Sequence, residues 1–138
     1  ACIGIENRIG WAVFRGARDH SGIRYTSLLP RFAAELVCRM HKGGFRAKVN
    51  TGSYRTYTYS LRGYRRLFRE AGFGHVRAFH AWEGYNEPRT LLPLDDRGAL
   101  EWFALRQGRR DRAVLRLAAR VGIWAHLASE FIFLVERP

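Results

Sequence analysis

Ser60-Leu61-Arg62-Gly63-Tyr64-Arg65-Arg66-Leu67-Phe68-Arg69-Glu70-Ala71-Gly72-Phe73 runs through Gly74 into His75-Val76-Arg77-Ala78-Phe79-His80-Ala81-Trp82. The first half places Leu61, Tyr64, Leu67, Phe68 and Ala71 on one stripe and Arg62, Arg65, Arg66 and Arg69 on the other, which is the pattern of an amphipathic helix. Ser60 is positioned to cap its start and Gly72 to end it in a left-handed turn. The second half alternates Val76, Ala78 and His80 with Arg77, Phe79 and Ala81, which suits a strand. A capped helix feeding a strand within about twenty residues points to an α/β chain.

Working outward, Tyr85-Asn86-Glu87-Pro88-Arg89 reads as a turn, because the residue before a proline avoids the helical region. Asp95 and Asp96 precede one helical pattern, with Leu100, Trp102, Phe103 and Leu105. Asp111 precedes another, extending through Val114, Leu115, Ala118 and Val121 to Leu127. Glu130-Phe131-Ile132-Phe133-Leu134-Val135-Glu136 closes the chain as a strand. Upstream, Cys2-Ile3-Gly4-Ile5 is a short apolar run that stops at Glu6-Asn7-Arg8, as a buried parallel strand does where it emerges. A helix is expected from about Leu29 to His41, with Ser27 as its cap, Pro30 in its first turn, and Phe32, Leu36 and Met40 on its apolar stripe. Gly43 to Ser53 lacks periodicity and reads as a loop.

The chain has 138 residues, 47% of them hydrophobic and 14% aromatic, which is enough to enclose one core and too apolar for a disordered segment. Arg116, Arg120, His126 and Glu130 interrupt its most apolar stretch, so a spanning helix is not expected. The opening residues show neither the basic start nor the cleavage site of a signal peptide, and the chain reads as starting within a longer protein. Lys+Arg of 24 against Asp+Glu of 12 gives a net charge of +12, which favours an anionic surface as a contact. Only Lys42 and Lys48 are lysines. No RNP, KH or zinc-finger signature is present, so nucleic acid is not the expected partner, although a small basic nucleic-acid-binding module, or an inactive structural fragment, is the alternative reading. Cys2 and Cys38 form neither a metal-type nor a redox spacing, and both are read as reduced, in a cytoplasmic protein that could sit at a membrane surface.

Several short motifs occur in order: Ile5-Glu6-Asn7-Arg8, Gly16-Ala17, Asp19-His20-Ser21-Gly22, Thr58-Tyr59-Ser60, Ala71-Gly72-Phe73 and Tyr85-Asn86-Glu87-Pro88-Arg89. Together with the element order, they resemble the C-terminal half of a class I S-adenosylmethionine-dependent methyltransferase of the bacterial type associated with glycan and cell-envelope polysaccharide assembly. The resemblance covers roughly the first two thirds of the chain. It implies the C-terminal part of a Rossmann-like fold, with a few-stranded mixed sheet, flanking helices and a closing strand that inserts antiparallel between its two predecessors, placing Ile5 next to Phe133. It also implies that residues 1–138 form a partial domain. The glycine-rich turn that would hold S-adenosylmethionine is absent from this sequence, so the cofactor half is expected upstream of Ala1 and this chain alone is not expected to methylate.

In open α/β sheets ligands bind beyond the carboxyl ends of the strands. Glu6, Asn7 and Arg8 fall there and are candidates for contacting a glycan or small-molecule acceptor; the competing reading is that they cap the strand and tie down neighbouring loops. His20 beside Asp19 is the candidate base, because an imidazole near its ordinary pKa can take a hydroxyl proton during methyl transfer. Its rival role is that of a hydrogen-bonded loop histidine. Tyr85 and Arg89 are candidates for contacting sugar rings or phosphates. His41, His75, His80 and His126 are read as structural, with no metal-type spacing.

Overall fold

The computed structural model describes residues 1–18, 22–41 and 58–138. The chain order is β1 (Cys2–Glu6), α1 (Trp11–Phe14), a 3₁₀ turn (Thr26–Leu28), α2 (Arg31–Met40), α3 (Leu61–Glu70), β2 (His75–Trp82), β3 (Thr90–Pro93), α4 (Arg97–Leu105), α5 (Arg109–Arg120), α6 (Trp124–Leu127) and β4 (Glu130–Glu136). None of these helices is long and apolar enough to cross a membrane.

Helix α3 begins and ends on the signals in its sequence. Ser60 Oγ accepts the Gly63 N–H at 3.4 Å, and Leu61, Tyr64 and Phe68 are buried. At the other end Gly72 adopts φ +84°. Gly72 N–H donates to Arg69 O and Phe73 N–H to Phe68 O, both at 3.0 Å, which satisfies two carbonyls of the last turn. The Phe73 ring then meets Phe68 edge-on, so one glycine redirects the chain from helix to strand and seals the corner.

The sheet order is β1-β4-β2-β3, and every neighbouring pair is antiparallel. The closing strand β4 lies between β1 and β2, as the resemblance implies. The expectation of a mixed sheet is corrected: β1 and β2 point the same way because each opposes β4, but β4 separates them. The parallel contact recorded outside the strands is an isolated bridge between Asn7 and Tyr59. Ile3 faces Phe133 and Ile5 faces Phe131, so Ile5 sits one pair away from the expected position. Strand β1 is also not a buried strand. Cys2 and Gly4 are exposed, and Ile3 and Ile5 are half-buried, because β1 lies at the sheet edge.

One face of the sheet carries the core. Phe131, Phe133 and Val135 of β4 are fully buried, and Tyr64 and Phe68 of α3 pack against the two phenylalanines. Burial of side chains this size stabilises by about 2 to 3 kcal/mol each. Toward β2 the same layer continues through His80, Trp82, Phe103 of α4 and Trp124 of α6.

Other boundaries differ from the sequence reading. Helix α2 starts at Arg31 with Pro30 as its cap, and Ser27 lies in the preceding 3₁₀ turn. Its buried residues are Ala34 and Cys38, while Phe32 and Met40 are 77% and 72% exposed. The second downstream helix stops at Arg120, because Gly122 takes φ +76° and ends it as Gly72 ends α3; α6 is therefore separate. Asp111 lies in the first turn of α5 rather than before it. Strand β3 has no counterpart in the sequence reading; it pairs with β2 across the expected Tyr85–Arg89 turn.

Candidate functional site

The carboxyl ends of β1 and β2 and the start of β4 meet at one end of the sheet, and two cavities open there. The larger has a volume of about 470 Å³, with His80, Ala81, Ala118, Trp124 and Ala128 as buried lining and Trp11, Arg15, Glu83 and Asp111 as exposed lining. The smaller, about 120 Å³, is lined by Glu6, Asn7, Ser27, Thr58 and Glu130 among others. Glu130 borders both.

Glu130 pairs directly with Glu6 across β4 and β1. Burial pushes its carboxyl above the ordinary value; the Tyr85 N–H, which donates to Oε2 at 2.6 Å, opposes that rise, and the neighbouring Glu6 adds to it. The Tyr85 ring lies over Gly4, where a Cβ would stand 2.8 Å from Tyr85 Cδ2. Only a residue without a side chain lets the loop after β2 fold back onto β1 in this way.

His80 is buried on β2, and its Nδ1 accepts the Trp124 indole N–H at 3.0 Å. Burial lowers its pKa to about 4, so the ring is neutral at pH 7. With Nδ1 occupied as an acceptor, the ring proton is assigned to Nε2.

The candidates from the sequence separate into four groups. Glu6 and Tyr85 come together at the sheet end, with Glu130 between them. Asn7 and Arg8 tie down neighbouring segments, as the competing reading of these two residues expects. Asn7 is 3% exposed and donates through Nδ2 to His126 O at 2.9 Å and Ala128 O at 2.6 Å, while its Oδ1 accepts the Ile9 N–H. Both amide hydrogens are thereby used on the turn before β4. Arg8 donates from Nε to Ser27 O and from Nη2 to Leu29 O, each at 2.7 Å, and so pins the segment leading into α2. Arg89 is exposed and pairs with Glu83 at 3.1 Å. Asp19 and His20 lie outside the described residues.

No protein-family model matches the chain, and no curated protein or solved structure is significantly similar to it. The chemistry of the site therefore rests on its own residues. Among the described residues there is no group of three or more His, Cys, Asp or Glu side chains placed to hold a metal ion.

His80, Trp124 and Glu130 were not singled out as site residues by sequence. His80 carried a faint signal, an imidazole on the inward phase of a strand that also points Val76 and Ala78 into the core. Glu130 carried only its position at the start of the closing strand.

Proposed function

We propose that this chain forms the acceptor-side part of an S-adenosylmethionine-dependent methyltransferase that O-methylates a glycan or related hydroxyl-bearing acceptor. The observation that supports it most is the placement of β4, antiparallel between two strands that run the same way. This is the arrangement that the family resemblance implies for the end of the domain. Among the described residues β1 is an edge strand, which is where further strands would join, and the smaller cavity, lined by Glu6, lies at its carboxyl end, the end at which open α/β sheets hold ligands.

In this reading the cofactor is held by residues outside this sequence, and the chain contributes alignment of the acceptor. Its proton acceptor is His20 with Asp19 beside it, and Glu6, paired with Glu130 at the sheet end, is the next candidate. The test is transfer of a labelled methyl group from S-adenosylmethionine to envelope polysaccharide by the complete polypeptide that carries these residues. Transfer should occur, and His20→Ala should lower turnover by about 10²- to 10⁴-fold without loss of folding. Absence of transfer to a broad acceptor panel would overturn the reading. Turnover within a few-fold of the parent would remove His20 alone.

A further inference from the structure

We propose that the larger cavity is a binding site for an apolar ring compound that directs a single hydrogen-bond acceptor at His80 Nε2. This ligand is distinct from a glycan acceptor, and the argument rests on the cavity itself. The Trp124 N–H fixes His80 Nδ1 as an acceptor and so leaves Nε2–H as the donor. Nε2 has no hydrogen-bond partner among the described residues, and among them no buried side-chain nitrogen or oxygen is left unpaired. Nε2 therefore keeps access to open space, and the space that His80 lines is this cavity.

The buried floor beside His80 is apolar, while half-buried Ser129 and Glu130 also line the cavity, Ser129 Oγ accepting the Ala12 N–H and Glu130 Oε2 the Tyr85 N–H. Ala81, Ala118 and Ala128 contribute no side-chain polar atom, and the single N–H of Trp124 is already committed to His80. A sugar ring brings hydroxyls on most of its carbons, and those laid against the alanines and the indole of this floor would lose water without finding a partner. An anion would find no cation there, since His80 is neutral and Arg15 stands at the exposed rim. A ring with one carbonyl oxygen or ring nitrogen satisfies the His80 donor and lays its apolar body on the alanines and the indole of the floor. The volume of about 470 Å³ accommodates a fused bicyclic compound.

Acetylnaphthalene is a direct probe, and isopropenylnaphthalene matches its shape with a methylene in place of the carbonyl oxygen. Titration of the chain, followed through the Trp124 indole N–H resonance, should show the ketone binding about tenfold more tightly than the hydrocarbon. His80→Leu should abolish that preference. If His80→Leu does not fold, Val114→Trp on the exposed rim supplies the second variant and should weaken both probes by about tenfold or more. Equal affinity of the two probes for the parent chain would overturn the role of His80. Binding of neither probe, tighter binding of methyl glucoside, or unchanged binding by a folded Val114→Trp variant would overturn the site.

Discussion

Trp124 of α6 donates its indole N–H to His80 Nδ1 of β2 at 3.0 Å, joining two elements 44 residues apart in sequence. The bond requires a neutral imidazole, because protonation of Nδ1 would set two N–H groups against each other.

This pair predicts a pH dependence of stability. Burial lowers the His80 pKa from 6.5 to about 4, so between those values the unfolded chain binds a proton that the folded chain does not. Stability from this group is complete above pH 6.5, declines as the pH falls toward 4, and changes no further below that. The total loss is about 3 kcal/mol. Denaturant unfolding of the parent and of His80→Gln at pH 7 and pH 4 isolates the effect. The free-energy difference between the two proteins should shift by about that amount, and a constant difference would contradict the assignment.

Gly4 predicts a packing effect. Adding a methyl group places Cβ 2.8 Å from Tyr85 Cδ2, so Gly4→Ala must displace the Tyr85 loop or bend β1. The expected cost is about 1 to 3 kcal/mol. Gly4→Ala combined with Tyr85→Ala should recover part of it, because the obstructing ring is gone. Additive losses in a double-mutant cycle would show that the two residues do not interact.

Asn7 separates scaffold from site. Asn7→Ala removes partners from two carbonyls and one N–H in a buried turn, and should destabilise by about 3 kcal/mol. A thermal unfolding midpoint unchanged from the parent would contradict this scaffold role.

Gly72 isolates backbone strain from packing. A Cβ there meets nothing within 4 Å, yet φ is +84°. Gly72→Ala should therefore cost about 1 kcal/mol through conformation alone, and Gly72→Val more. Equal stabilities of the three proteins, measured by chemical denaturation, would contradict this end for α3.

How much of this could be read in advance depended on how local each signal is. The ends of α3 were legible because Ser60 and Gly72 act on backbone groups within a few residues of themselves. Strands β2 and β4 were legible because seven or eight alternating or apolar residues carry their own period. Strand β3 was not, since four residues ending in Pro93 give too short a pattern. The exposed stripe of α2 misled for a different reason: apolar spacing marks a helix but does not say which face finds a partner, and here Ala34 and Cys38 are buried instead of Phe32 and Met40. At the site, Glu6 was singled out through its place at a strand end and Tyr85 as an aromatic in a turn. The His80–Trp124 bond and the Glu6–Glu130 pair depend on contacts between residues 44 and 124 positions apart, which no local pattern announces.

The central claim is that these residues supply the acceptor side of a methyltransferase and leave the cofactor to other parts of the protein. Calorimetric titration with S-adenosylmethionine tests it most directly, applied in parallel to this chain and to the complete polypeptide that carries it. The account predicts binding by the complete polypeptide and no measurable heat from this chain. Low-micromolar binding by this chain alone, or none by the complete polypeptide, would contradict it.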